Sequence, residues 1–148
     1  MSISKWIFVA ALVVSCATGF ALRTLLTPET VHAAAADRVF ELRTYTAAPG
    51  KMENLKARFR DHALRLFAKH GLTVMGGIYI PADAPLSENT IIYVLVHESR
   101  AAADKNWAAF QADPEWIKAR DASIAGGPIT AGPVTRQWLN PADFSPVK

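Results

Sequence analysis

The stretch Asn89 to His97, NTIIYVLVH, constrains the fold more than any other part of the chain. It is a continuous apolar, β-branched run, and such runs belong in the middle of a sheet, where strand neighbours and covering layers keep them from water. The rest of the chain must therefore supply those neighbours. Arg38 to Gly50, RVFELRTYTAAPG, supplies one: it alternates as a strand does and stops on a Pro-Gly turn. Phe40, Leu42 and Thr44 fall on one face, which reads as built for a core. Glu41, Arg43 and Tyr45 fall on the other, which reads as a wet surface or the lining of a polar-rimmed pocket.

From Lys51 to His70 the apolar residues Met52, Leu55, Phe59, Leu66 and Phe67 recur near one side of a helix, and Gly71 is placed to close it in a left-handed conformation. Arg58, Arg60, Asp61, Arg65 and Lys69 fall mostly elsewhere, on positions that read as solvated. Leu72 to Ile80 predicts a strand whose Gly76-Gly77 pair marks a bulge or a close backbone approach. Pro81 to Glu88 reads as a loop. Ser99 is placed to cap a helix over Arg100 to Ala112, and Asp113-Pro114 restarts the chain into a short helix over Glu115 to Ser123. Trp107, Phe110 and Trp116 read as core at the corner between the two. Val134 to Leu139 is the last strand, and the tail from Asn140 is too proline-rich to extend it.

Strand, helix, two strands, helix pair, strand is the βαββαβ order of a ferredoxin-like α+β fold. The first and third strands are then central, and both helical layers cover one face of a four-stranded antiparallel sheet. The second face has no cover within one copy. Apolar area left in water costs roughly 25 cal/mol per Å², and a second copy of the sheet is the simplest cover. A homodimer is therefore expected.

Residues 1–37 read as a leader and tether ahead of a domain spanning 38–148. Lys5 precedes the uncharged run Trp6 to Leu22, which Arg23 ends, the pattern of an export signal or a membrane anchor. Val31-His32-Ala33 and the alanines to Ala36 offer cleavage positions, and Val13 to Cys16 is similar to a lipobox. Each version puts the domain outside the cytoplasm, periplasmic or secreted, with membrane contact only through this leader. Cys16, inside the leader, is the single cysteine, so the domain has no thiolate nucleophile, thiolate metal site or disulfide. From Ala34 onward 14 Lys and Arg stand against 12 Asp and Glu, interspersed along the chain, and nucleic acid is not implied.

The candidates for chemistry are few. Arg43 with Glu41 and Tyr45 has the groups to grip an anionic or carbonyl-bearing ligand, and the plain alternative is a cross-strand ion pair at a dimer interface. His97, at the end of the third strand, is the candidate general base, although spacing identifies no titratable partner for it. Tyr93 on the same strand, and Arg136 and Trp138 sharing a face of the last strand, complete the set that would line a barrel or seal a dimer. His62 and His70 stand eight positions apart on one helix, too far to hold one ion, and no metal site is predicted. No cofactor is predicted. Haem stays open, because any single histidine could be its axial ligand.

The segments FELRTYTAAPGK (Phe40 to Lys51) and WAAFQADPEW (Trp107 to Trp116), with Tyr93, Glu98 and Ser99 between them, resemble the NIPSNAP family. The resemblance runs from Val39 to about Asn140. It implies a dimeric α+β barrel, in which two ferredoxin-like subunits set their open sheet faces together. The family is linked to vesicle transport and to mitochondria in animals, a targeting from which the leader here departs, and it lends no catalytic residue to this chain. The same barrel architecture hosts cofactor-independent monooxygenases, haem enzymes and small-molecule isomerases. Two functions from different classes follow. One is a noncatalytic binding or scaffolding module of the envelope; the other is a barrel holding a small organic ligand, with monooxygenase-like or isomerase-like chemistry.

Overall fold

The computed structural model describes residues 38–147, which belong to one compact unit, Ala35–Lys148. The expected leader, with Cys16 and the cleavage positions, lies outside the described residues. Among the described residues no helix is long and apolar enough to cross a membrane.

Four strands form one antiparallel sheet: β1 (Val39–Thr46), β2 (Thr73–Tyr79), β3 (Thr90–His97) and β4 (Thr135–Leu139), in the order β2-β3-β1-β4. The apolar run is β3, and it is central as expected, paired with β1 over eight positions from Val39 opposite His97 to Thr46 opposite Thr90. The helices are α1 (Met52–Arg58), α2 (Leu64–Lys69), α3 (Arg100–Ala112) and α4 (Pro114–Ile124). This is the ferredoxin-like architecture, with all helices on one face of the sheet.

Local chemistry sets the punctuation. Gly71 ends α2 at φ 70°, a conformation that an L side chain adopts only at a cost. The register of β2 against β3 shifts between Met75 and Ile78, so Gly76 and Gly77 do form a bulge. The Ser99 hydroxyl accepts from the Ala102 N–H at 3.1 Å and starts α3. Asp113 ends α3 and starts α4, accepting from the Glu115 N–H at 2.8 Å, with Pro114 at the first helical position.

One feature was not legible. The helix predicted over 51–70 is interrupted by a π turn, Phe59–Ala63, where the Leu64 N–H bonds back to the Phe59 carbonyl. The turn still keeps Leu55, Phe59, Ala63, Leu66 and Phe67 on the sheet.

The two faces of β1 are the reverse of the expectation. The helices cover Glu41, Arg43 and Tyr45, whose strand neighbours Leu95, Tyr93 and Ile91 belong to the same buried layer. Phe40, Leu42 and Thr44, expected in the core, lie on the open face with Ile92, Val94 and Val96 of β3. The physical reason is that the two charges compensate each other and meet an indole from α3, so the polar face is the one with partners. Alternation distinguishes two faces; it does not say which one a helix will cover.

The open face is markedly apolar. Leu42, Val94, Val96 and Ile92 are half-buried there, and Met75, Tyr79 and Leu139 are exposed by 37%, 56% and 40%. Only Phe40, 5% exposed, is well covered, at the end where Pro141, Ser145 and Val147 of the C-terminal tail stand round it.

Candidate functional site

Glu41 is the centre of a buried polar network. Its side chain has no exposure, and it lies opposite Leu95 on β3 and Trp138 on β4. Arg43, two residues on and therefore on the same face, donates from a terminal guanidinium nitrogen to Glu41 Oε1 at 2.7 Å. His97, diagonal to Glu41 across the β1-β3 ladder, places Nε2 2.9 Å from Oε2. Trp107, brought down by α3, donates its indole N–H to the same oxygen at 2.8 Å.

Burial alone would raise the Glu41 pKa. The hydrogen bonds from His97, Trp107 and Arg43, with the Arg43 charge, outweigh it and bring the value from 4.5 to about 2. Glu41 is thus ionised at neutral pH, and the His97 nitrogen facing it must carry the proton. In the neutral imidazole this fixes the tautomer, leaving Nδ1 as the ring's acceptor.

Arg43 is held on three sides. Its guanidinium carbon lies 4.3 Å from the centre of the Trp107 ring and 5.8 Å from that of Tyr45. Burial pulls its pKa down, and the phenols of Tyr45 and Tyr93 and the Glu41 carboxylate more than compensate, so it ends above its usual value. Tyr93 is raised well above the ordinary phenol range, chiefly by burial. Its hydroxyl donates to that of Tyr45 at 3.3 Å, and the two rings stack 5.9 Å apart with Phe59 edge-on to both.

Five of the seven residues singled out in the sequence, Glu41, Arg43, Tyr45, Tyr93 and His97, therefore belong to one cluster. Trp138 joins it through the edge of its ring, 5.8 Å from that of His97. Arg136 does not reach the cluster: it is exposed, and its guanidinium and that of Arg100 lie 5.3 and 4.5 Å from the Trp138 ring. The ion pair expected across strands at an interface takes a different form. The Arg43 pair is made within one strand, two residues apart, beneath the helices.

The main grooves among the described residues do not open onto the cluster's centre. A groove of about 600 Å³ at the end of β3, lined by Arg38, Lys105, Asn106 and His97 among others, reaches only its last histidine. The apolar pocket at Phe40 and the grooves at His62 and Leu64 are not lined by Glu41, Arg43, Tyr45 or Tyr93. Two buried nitrogens in the cluster, Arg43 Nε and His97 Nδ1, have no hydrogen-bond partner.

A second polar cluster, around Asp113, is not among the sequence-predicted candidates. Asp113, already the cap of α4, receives Lys69 Nζ at 2.7 Å and faces His70 Nε2 at 2.6 Å, while Arg65 and Glu115 pair beside it. The Lys69 bond, then His70 and the Glu115 N–H, hold its carboxyl well below the usual range. The cap was legible in Asp113-Pro114; partners 43 and 44 residues away were not. Trp107 is core as expected, and its indole N–H, which needs an acceptor once buried, is the sequence signal for its place in the Glu41 network. Among the described residues no three His, Cys, Asp or Glu side chains converge as a metal site. Neither His70 nor His97 offers Nε2 for an axial bond to haem, since each is engaged by a carboxylate.

A four-stranded antiparallel sheet in this order, helices on one face and a saturated acid beneath them, defines a ferredoxin-like α+β domain. The particular family follows from comparison: the NIPSNAP family model matches residues 40–146, and the chain belongs to that family. Solved structures agree in fold. An uncharacterised NIPSNAP-like domain protein from Burkholderia xenovorans superposes with a TM-score of 0.63 at 20% identity, covering 75% of this chain and 90% of that one. A NIPSNAP family protein of unknown function from Agrobacterium tumefaciens gives 0.64 at 20% identity, covering 76% and 96%. SnoaB, a cofactor-independent oxygenase from Streptomyces nogalater solved as its N63A mutant, gives 0.50 at 17% identity, covering 75% and 99%. No curated protein matches the chain.

Proposed function

We propose that this protein is a homodimeric, noncatalytic binding or scaffolding module of the cell envelope, in which two copies set their open sheet faces together. One observation carries the reading: the reactive groups and the adhesive surface are on opposite faces of the sheet. The fully buried Glu41 carboxylate is saturated by three donors under the helices, whereas Leu42, Val94, Met75, Tyr79 and Leu139 leave the other face apolar and open. A twofold partner covers that face with the same patch. The envelope location rests on Lys5 and the run Trp6 to Leu22.

Light scattering on residues 35–148 tests the dimer, and fractionation of cells expressing the full chain tests the location. Twice the monomer mass at micromolar concentration, and recovery from the membrane or periplasmic fraction, are expected. A well-folded monomer, or an intact chain soluble in the cytoplasm, overturns the corresponding half.

A second reading has its own observation, the two buried nitrogens without partners. A small organic ligand carrying both a donor and an acceptor would satisfy His97 Nδ1 and Arg43 Nε, and the barrel would then support cofactor-independent oxygenase or isomerase chemistry. Oxygen uptake with hydroxylated aromatic compounds, abolished in His97→Gln, would establish it. Uptake no faster than the protein-free blank removes its oxygenase form.

A further inference from the structure

The C-terminal tail carries two features that fit each other but do not meet within one chain. The first is an apolar pocket of about 260 Å³ on the open sheet face, walled by Phe40, Met75, Val94 and Leu139 and rimmed by Pro141 and Val147 of the tail. The second is Phe144, which is 88% exposed, more than any other large apolar side chain described. A tight turn presents it: the Ser145 N–H bonds back to the Ala142 carbonyl at 2.9 Å, and the Phe144 N–H donates to Asp143 Oδ1 at 2.9 Å. The tail residues on either side, Pro141 and Ser145, line the pocket, while the ring between them stays in solvent.

We infer that in the dimer the Phe144 ring of each copy enters the Phe40–Met75–Val94–Leu139 pocket of the other. This rests on the dimer reading and names the contact that specifies it. Size permits the fit, since a closed apolar cavity of about 150 Å³ already takes up benzene. Symmetry permits it too, because a twofold operation supplies one ring and one pocket in each direction. An aromatic anchor in an apolar pocket is also the residue type and setting in which interface energy concentrates.

The test uses residues 35–148, the compact unit that contains the whole sheet and its core. Phe144→Ala removes a ring that its own chain does not bury, so the monomer fold is untouched. The dimer dissociation constant from sedimentation equilibrium is expected to rise about tenfold to a hundredfold. A double variant, Met75→Cys with Phe144→Cys, supplies the only two cysteines in this segment and should oxidise to a covalent dimer, with either single variant as control. A parent that is monomeric sinks the dimer reading and this inference together. A parent dimer whose constant Phe144→Ala leaves unchanged, or a double variant that closes its disulfide within one chain, overturns this inference alone. Uptake of benzene by the intact dimer at the pocket also overturns it, because the ring and benzene cannot both occupy it.

Discussion

Trp107 donates its indole N–H to the Glu41 carboxylate at 2.8 Å while the face of the same ring carries the Arg43 guanidinium, 4.3 Å from its centre. One residue of α3 thus compensates both members of an ion pair that the sheet alone would leave facing apolar side chains. Removing the two charges should therefore not be equivalent. Glu41→Ala leaves Arg43 buried with no counter-charge and strips the acceptor from Trp107 and His97, a loss of about 3 to 5 kcal/mol. Arg43→Ala leaves Glu41 two of its three donors, and about 1.5 to 3 kcal/mol is expected. Urea unfolding of both variants checks the order, and an Arg43 variant as unstable as the Glu41 one would show that the indole does not share the load.

The depressed pKa of Glu41 makes stability depend on pH in a definite direction. The unfolded carboxyl takes up its proton near 4.5 and the folded one near 2, so below 4.5 the unfolded chain binds more protons. The contribution is present in full above about pH 4.5 and is lost as pH falls toward 2. The difference of about 2.5 pH units corresponds to about 3 kcal/mol. Asp113, depressed as well, adds a fall of the same sign. Denaturant midpoints measured from pH 6 to pH 2 should decline, with a shallower slope in Glu41→Gln; equal slopes would mean that Glu41 is not the group responsible.

What the sequence made legible was whatever depends on neighbours along the chain. The run IIYVLV could only be an inner strand, Gly76-Gly77 could not continue a regular ladder, and Ser99 and Asp113-Pro114 carry helix starts in their own side chains. The site was legible as membership but not as arrangement. Glu41, Arg43 and Tyr45 announced one face by alternation, yet the donors that make that face the inner one come from His97 and Trp107, 56 and 66 residues further on. Charged residues on a strand usually face water, and only tertiary pairing overrides that preference. The π turn was hidden for a related reason, because Phe59 to Ala63 contains no residue that forbids an ordinary helix.

Gly71 couples the end of α2 to α3. Its φ of 70° suits glycine, and an added Cβ would lie 2.9 Å from Asn106 Nδ2, the atom that donates to the Gly71 carbonyl at 3.1 Å. Gly71→Ala should therefore cost about 1 to 2 kcal/mol from the left-handed backbone alone, with the Asn106 contact displaced in addition. Thermal melting of Gly71→Ala beside Asn106→Ala separates the two terms. A glycine variant no less stable than the asparagine variant would place the cost in the contact rather than the backbone.

Leu42 gives the sharpest test of the open face. It sits on a central strand opposite Val94 on one side and Gln137 on the other, and it points away from the layer that contains Trp107, Tyr93 and Leu95. Within one copy a glutamate at this position can reach water, so Leu42→Glu should leave the helix-side core intact. In a dimer built on this face, the twofold axis brings two such carboxylates into an apolar contact, where unpaired charges carry a desolvation cost of several kcal/mol each. Leu42→Glu is therefore expected to be monomeric at concentrations where the parent is dimeric, with an unchanged near-UV signal from the aromatic cluster. Loss of that signal would mean that Leu42 supports the fold rather than the interface, and a dimer that survives the substitution would move the interface off this face of the sheet.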